Sequence, residues 1–179
     1  CFNQLTSCFI YKQEVFLAKI EVELRDYPTI KTHCKNSYYS GLLQNLFAGS
    51  EGEVVLFLQL QYHANILRSY NEKISSVLNE MSLTDLRHQQ LLAHAIEMTY
   101  GNPIYATSQG KFIGGRQIDY IKDTKLILHA NLEAKEKSII DYKLAISKIE
   151  NVQIKLLLSA ILADEENHRL ILKKLLRSL

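Results

Sequence analysis

The stretch LSAILADEENHRLILKKLL, residues 158–176, decides the fold. Taken at every third or fourth position it gives Leu158, Ile161, Glu165, His168, Leu172 and Leu175, an apolar helical stripe with an acid and a histidine at its middle. Residues three apart lie on one helix face, so the Glu165 carboxylate and the His168 imidazole can reach a common point. Leucine is the ordinary occupant of such positions.

The same rule finds three more seams. One runs Leu78, Met81, Asp85, His88, Leu92, Ala95 and carries a second acid and histidine three apart. Another runs Glu53, Phe57, Leu60, Ala64, Leu67, and a third Leu128, Leu132, Lys135, Ile139, Tyr142, Ile146. With 6 histidines and 19 acids in 179 residues, chance supplies about one such pair, so the phase carries more weight than the count. An isolated buried charge costs several kcal/mol, a large part of a domain's stability. The ionisable groups of the four seams must therefore meet one another or a cation.

Composition narrows the classes. A chain that is 47% hydrophobic with a formal charge of +2 can bury one good core and gives no reason to expect a nucleic-acid partner. Its longest apolar runs, Val54 to Leu58 and the region from Leu156 to Ala163, fall far short of the ~20 residues of a membrane helix, so no membrane partner is expected. Nothing near the start has the order of a signal peptide, and the expected location is cytoplasmic. Cys1, Cys8 and Cys34 are odd in number and lack a two-residue spacing, which supports neither a disulfide framework nor a zinc or rubredoxin-type site.

Both prolines, Pro28 and Pro103, fall between helical stretches. A short N-terminal helix is expected around Gln13 to Leu24, followed by an irregular arm packed on the outside. Four long helices are expected over Leu42 to Ser69, Asn71 to Tyr100, Asp123 to Lys148 and Val152 to Leu176. Residues 1–37 thus form an N-terminal helix and arm, and residues 38–179 the bundle. The first and last helix pairs have short connections and must be antiparallel. The connection from Gly101 to Lys122 is long enough to run the length of the bundle at ~3.3 Å per residue, which would make helices two and three parallel. The expected class is all-α, a four-helix bundle with a long crossover between helices 2 and 3. Glu53 precedes Asp85 by 32 residues and Lys135 precedes Glu165 by 30, so each half offers one ionisable residue and then an acid/histidine pair.

Several local signatures accompany this pattern: Tyr27-Pro28-Thr29-Ile30-Lys31 before Lys35-Asn36-Ser37-Tyr38-Tyr39, Ala48-Gly49 leading to Glu53, then Gln59 and Tyr62. With Asp85-Leu86-Arg87-His88 and Asp164-Glu165-Glu166-Asn167-His168, the chain resembles the ferritin-like carboxylate (di-iron/di-manganese) superfamily, which includes rubrerythrins and manganese catalases. The resemblance implies a ferritin-like bundle and places Glu53, Asp85, His88, Glu165 and His168 at metal-ligand positions, a Glu from each of two helices plus a Glu-x-x-His from each of the others being the general pattern. It also implies iron or manganese, one or two ions, and a redox reaction with peroxide, dioxygen or ferrous iron, the partner being a metal ion or small-molecule oxidant. Homodimerisation is the expectation by analogy.

Two positions depart from the pattern. Asp85 is one methylene shorter than the usual Glu. More severely, Lys135 stands where the fourth carboxylate belongs, as both the seam phase and alignment through Asn131, Ile139 and Tyr142 indicate. Glu133 and Glu136 are roughly 100–200° away around the helix, so neither reaches the position without a π-bulge. Lys135 with one divalent ion would neutralise Glu53, Asp85 and Glu165, and Lys135 with protonation would do so without metal. Two functional classes stay open. One is an oxidoreductase of catalase-like or ferroxidase-like type, favoured over a rubrerythrin-like peroxidase because no four-cysteine electron inlet is present. The other is a metal-free bundle with a Lys135-centred salt-bridge cluster, acting as a binding or structural protein. Glu53 has a plainer reading as a solvated residue at a helix start. Tyr142 can bond a site carboxylate, and Tyr62 and His63 read as packing or surface residues. No residue is assigned a catalytic role.

Overall fold

The computed structural model of the protein describes residues 26–179; the helix expected at Gln13 to Leu24 lies outside the described residues. The described residues form an arm and five α-helices: α1 (Ser37–Ala48), α2 (Glu53–Leu67), α3 (Glu72–Met98), α4 (Thr124–Lys148) and α5 (Val152–Ser178). Their starts follow from the sequence. Asn36, Asn71, Asp123 and Asn151 each accept the backbone N–H three residues on, at 3.0, 3.3, 2.9 and 3.1 Å. Such caps satisfy amides that have no partner inside the helix.

The first expected helix, Leu42 to Ser69, is corrected. It is two helices, broken at Gly49–Gly52, where a Cβ on Gly49 would fall on the Asn45 carbonyl oxygen and one on Gly52 would lie 2.9 Å from the Ala48 nitrogen. Only residues without a side chain fit this close backbone turn. Together α1 and α2 fill one position of the bundle, α1 beside the end of α3 and α2 beside its start. The result is a ferritin-like four-helix bundle.

The crossover from Gly101 to Lys122 also shows its course in hydrogen bonds. At one end Gln44 donates to the carbonyls of Ile104 and Ala106, and Asn45 accepts from the Ser108 amide. At the other end Gln59 accepts from the Asp119 amide and Tyr70 donates to the Lys122 carbonyl. The chain therefore returns along α1 and α2 to the end where α3 began, and α3 and α4 run parallel.

The core has two apolar halves. Leu43, Leu46 and Phe47 of α1 pack with Leu92, Ala95 and Ile96 of α3 and with Leu157, Leu158 and Ile161 of α5. Leu60, Ala64 and Leu67 of α2 pack with Leu78 and Met81 of α3, Leu128 of α4, and Leu172 and Leu175 of α5. Each fully buried leucine contributes about 1.5–3 kcal/mol. Between the halves lies a polar waist, and it is as dry as the halves: Glu53, Asp85, His88, Glu165 and His168 are all 0% exposed and Lys135 1%. The arm closes one side, with Ile30 in the core and the amides of Lys31 and Thr32 donating to Gln153 Oε1 at 2.9 and 3.3 Å.

Candidate metal centre

The break at Gly49–Gly52 delivers Glu53, the first residue of α2, to the bundle interior, where the partial positive charge of the helix start favours its carboxylate. The reading of Glu53 as a solvated residue is thereby overturned. Tyr142, two turns beyond Lys135 on α4, donates its hydroxyl proton to Glu53 Oε1 at 2.5 Å. Asp85 and His88 enter from α3, and Glu165 and His168 from α5. All seven residues singled out in the sequence converge, and ligand atoms of Glu53, Asp85, His88 and Glu165 lie within 4.8 Å of one another.

Lys135 enters from α4 and holds two of the acids. Its Nζ donates to Asp85 Oδ1 at 2.7 Å, Asp85 Oδ2 at 2.8 Å and Glu165 Oε1 at 2.7 Å. An ammonium has three N–H donors, so it is fully satisfied. Neither neighbouring acid takes its place: Glu133 pairs with Lys137 at 2.9 Å and Glu136 with Lys173 at 2.7 Å, both on the outer face.

His88 is oriented from behind by two residues. Tyr27 donates to Asp164 Oδ2 at 2.7 Å, and His88 Nε2 lies 3.1 Å from the Tyr27 oxygen and 3.3 Å from Asp164 Oδ2. Because the Tyr27 proton is directed to Asp164, the network assigns a hydrogen to Nε2. Nδ1 then faces the centre, 3.6 Å from Glu53 Oε2, 3.7 Å from Glu165 Oε1 and 4.0 Å from Asp85 Oδ1. His168 Nδ1 lies 3.6 Å from both Asp85 Oδ1 and Glu165 Oε1, beyond good hydrogen-bond reach. Five buried atoms of the cluster lack a hydrogen-bond partner: Glu53 Oε2, Glu165 Oε2, His88 Nδ1, and both nitrogens of His168. A buried acceptor without a donor is costly, and such atoms mark where a cation or water belongs.

The electrostatics divide the two histidines. Burial works against charge on His88, but Glu53, the bond to Asp164 and Glu165 outweigh it and raise the imidazole to about 10. Burial pushes His168 the other way, and repulsion from Lys135 adds to it, so this imidazole falls to about 4 despite Glu165. Burial also opposes the Lys135 charge, yet Asp85 and Glu165 keep its pKa above the ordinary lysine value. Glu165 is held below its ordinary value: burial raises it, but Lys135 and the histidines prevail. Asp85 is pushed up by burial, with repulsion from Glu165 and Glu53 offsetting the pull of Lys135. Burial and Glu53 keep Tyr142 protonated.

Sequence reasoning missed the supporting residues. Asp164 is next to Glu165 but about 100° off the seam, and Tyr27 sits in an arm with no periodicity. Of the two readings of His63, packing or surface, the structure excludes the surface one. It is buried, its Nδ1 accepts from Asn131 Nδ2 at 2.9 Å, and its Nε2 donates to the Asp119 carbonyl at 2.8 Å, tying the crossover to α2 and α4. Burial keeps this imidazole below its ordinary pKa. The Tyr62 ring meets Tyr120 of the crossover at 4.9 Å.

Comparison with known proteins gives a consistent pattern. The rubrerythrin family model matches residues 43–176. Among solved structures, the manganese catalase KatB from Anabaena PCC7120 superposes with a TM-score of 0.77 at 21% identity, covering 88% of this chain and 78% of that one. The bacterioferritin of Rhodobacter capsulatus, described with a metal-free dinuclear site and heme iron, superposes with a TM-score of 0.68 at 14% identity, covering 79% and 85%. At these identities the likeness concerns the fold. No curated protein sequence matches significantly.

Proposed function

We infer the function from the premise that the chain belongs to the rubrerythrin family: its buried waist, lined by Glu53, Asp85, His88 and Glu165, is a site for iron or manganese used in redox chemistry with peroxide, dioxygen or ferrous iron. One observation carries the reading. Glu53 Oε2, His88 Nδ1 and Glu165 Oε2 are buried without a hydrogen-bond partner, the first two 3.6 Å apart, and carboxylate oxygen with imidazole nitrogen is the donor set that suits these metals. A bound iron or manganese ion would supply the electron transfer.

The chain's own residues do the rest. Asp164 and Tyr27 hold the Nε2 side of His88 so that Nδ1, which must give up its proton to bind an ion, faces the waist, an arrangement that also raises the basicity of a ligand imidazole. Tyr142 fixes one oxygen of Glu53 and leaves the other open. Lys135 pins Asp85 and Glu165, and the two apolar halves of the core exclude bulk water.

The test is to load the stripped chain anaerobically with Mn(II) and, separately, Fe(II), desalt it, and measure retained metal, peroxide consumption and oxidation of ferrous iron by dioxygen. Retained metal with consumption of peroxide or dioxygen is expected. A folded chain that retains none is contrary to the reading. It would favour the second one, a Lys135-centred ion-pair cluster in a binding or structural protein. The three bonds of Lys135 to Asp85 and Glu165 are the observation that supports that alternative.

A further inference from the structure

The waist is asymmetric, and the asymmetry bears on how many ions it can take. On the side of His88, Glu53 Oε2 and His88 Nδ1 are open and 3.6 Å apart, and Glu165 keeps its Oε2 open. A cation held there takes donors that serve nothing else. On the side of His168, both Asp85 oxygens and Glu165 Oε1 already accept N–H bonds from Lys135, and only the His168 nitrogens are open. The residue that would supply a further carboxylate on that side is Lys135 itself. A second divalent ion would have to take oxygens from an ammonium with every donor satisfied, and then lie beside that positive charge in a dry interior.

We propose that the Lys135 ammonium is the built-in second cation of the centre, so that the chain binds one divalent ion per molecule, on the His88 side. The inference rests on the reading of the waist as a metal site. Charge supports the count independently of the donors. Asp164 is turned to Tyr27 and the far side of His88; the acids that face the waist, Glu53, Asp85 and Glu165, carry three negative charges, which one divalent ion and one ammonium neutralise with His88 deprotonated as a ligand. Two divalent ions and the ammonium would leave a buried excess of positive charge. His168, by contrast, lines a position that Lys135 already fills, its Nδ1 3.6 Å from Asp85 Oδ1 and Glu165 Oε1, the oxygens that accept from the ammonium. It is therefore not a ligand of the bound ion.

The experiment is metal stoichiometry by elemental mass spectrometry on stripped protein reloaded with Mn(II) alone and desalted, with folding checked by circular dichroism. One ion per chain is expected for the wild type, none for His88→Ala and one for His168→Ala. Lys135→Glu, which replaces the ammonium by the missing carboxylate, is expected to rise to two. Two ions in the wild type would overturn this inference and leave the metal-site reading standing; none would overturn both. Loss of the ion from folded His168→Ala, or its retention by His88→Ala, would show that the ion sits on the other side. A folded Lys135→Glu chain with a single ion would overturn the role given to Lys135. The wild-type count and the histidine pair decide the matter even where Lys135→Glu does not fold.

Discussion

Replacing Lys135 with methionine removes the charge while keeping most of the side-chain volume. In the wild type the ammonium donates to Asp85 Oδ1, Asp85 Oδ2 and Glu165 Oε1 at 2.7, 2.8 and 2.7 Å, with all partners buried. The variant leaves three acceptors and two dry carboxylates with no cation from α4. Breaking a buried pair by removing one member costs about 3–5 kcal/mol, against a total stability of about 5–15 kcal/mol for a domain. The loss should depend on pH with a definite sign. Lys135 holds Glu165 below its ordinary pKa, so its removal raises the carboxyl pKa values of the folded state. The variant then gains relative stability as pH falls through those raised values, and its deficit shrinks on acidification. Urea unfolding in the presence of chelator at pH 7.5 and pH 5.5, for both proteins, measures this. A deficit below about 1 kcal/mol at pH 7.5, or one that does not shrink in acid, would refute the picture of Lys135 as the clamp of the two acids.

The two histidines should give the stripped chain a stability maximum near neutral pH. His88, raised to about 10, contributes stability that is present below its ordinary value of 6.5 and lost as pH rises toward 10; His168, lowered to about 4, costs stability as pH falls from 6.5 toward 4. Each limb has a slope of up to about 1.4 kcal/mol per pH unit, with Asp85, pushed up, offsetting part of the acid limb. Denaturant midpoints across pH 4–10 that rise or fall monotonically would contradict the assignment. Tyr142→Phe leaves Glu53 Oε1 without its donor and should cost about 1.5–3 kcal/mol in urea unfolding, whereas no change would mean that the hydroxyl is not the partner. Tyr100, at the end of α3, has φ 64°, and a non-glycine residue there costs about 1–2 kcal/mol. Tyr100→Gly should therefore raise Tm despite loss of the ring contact with His33, and a lower Tm would show that this contact outweighs the strain.

The stripes of α3 and α5 made the bundle legible in the sequence, because long amphipathic helices declare their buried face through spacing alone. The same phase exposed the site, since Asp85, His88, Lys135, Glu165 and His168 stand where leucine would ordinarily be. What periodicity did not reveal depends on tertiary approach. The break at Gly49–Gly52 is set by backbone atoms closing on one another, and it is what turns Glu53 inward. Tyr27 reaches His88 from an arm 61 residues away in sequence, and no local pattern announces such a contact. The choice between packing and surface for His63 stayed open for a related reason: its partners, the Asn131 side chain and the Asp119 carbonyl, come from α4 and from the crossover, neither of which is local to α2.

Whether the buried waist holds a metal is read from crystals of the protein equilibrated with Mn(II) and measured for anomalous scattering at the manganese edge. One anomalous peak is expected inside the bundle, bounded by Glu53, Asp85, His88 and Glu165, with Lys135 still bonded to Asp85 and Glu165. A bundle interior with no peak, in crystals that bind manganese on their surface, would contradict the metal-site reading.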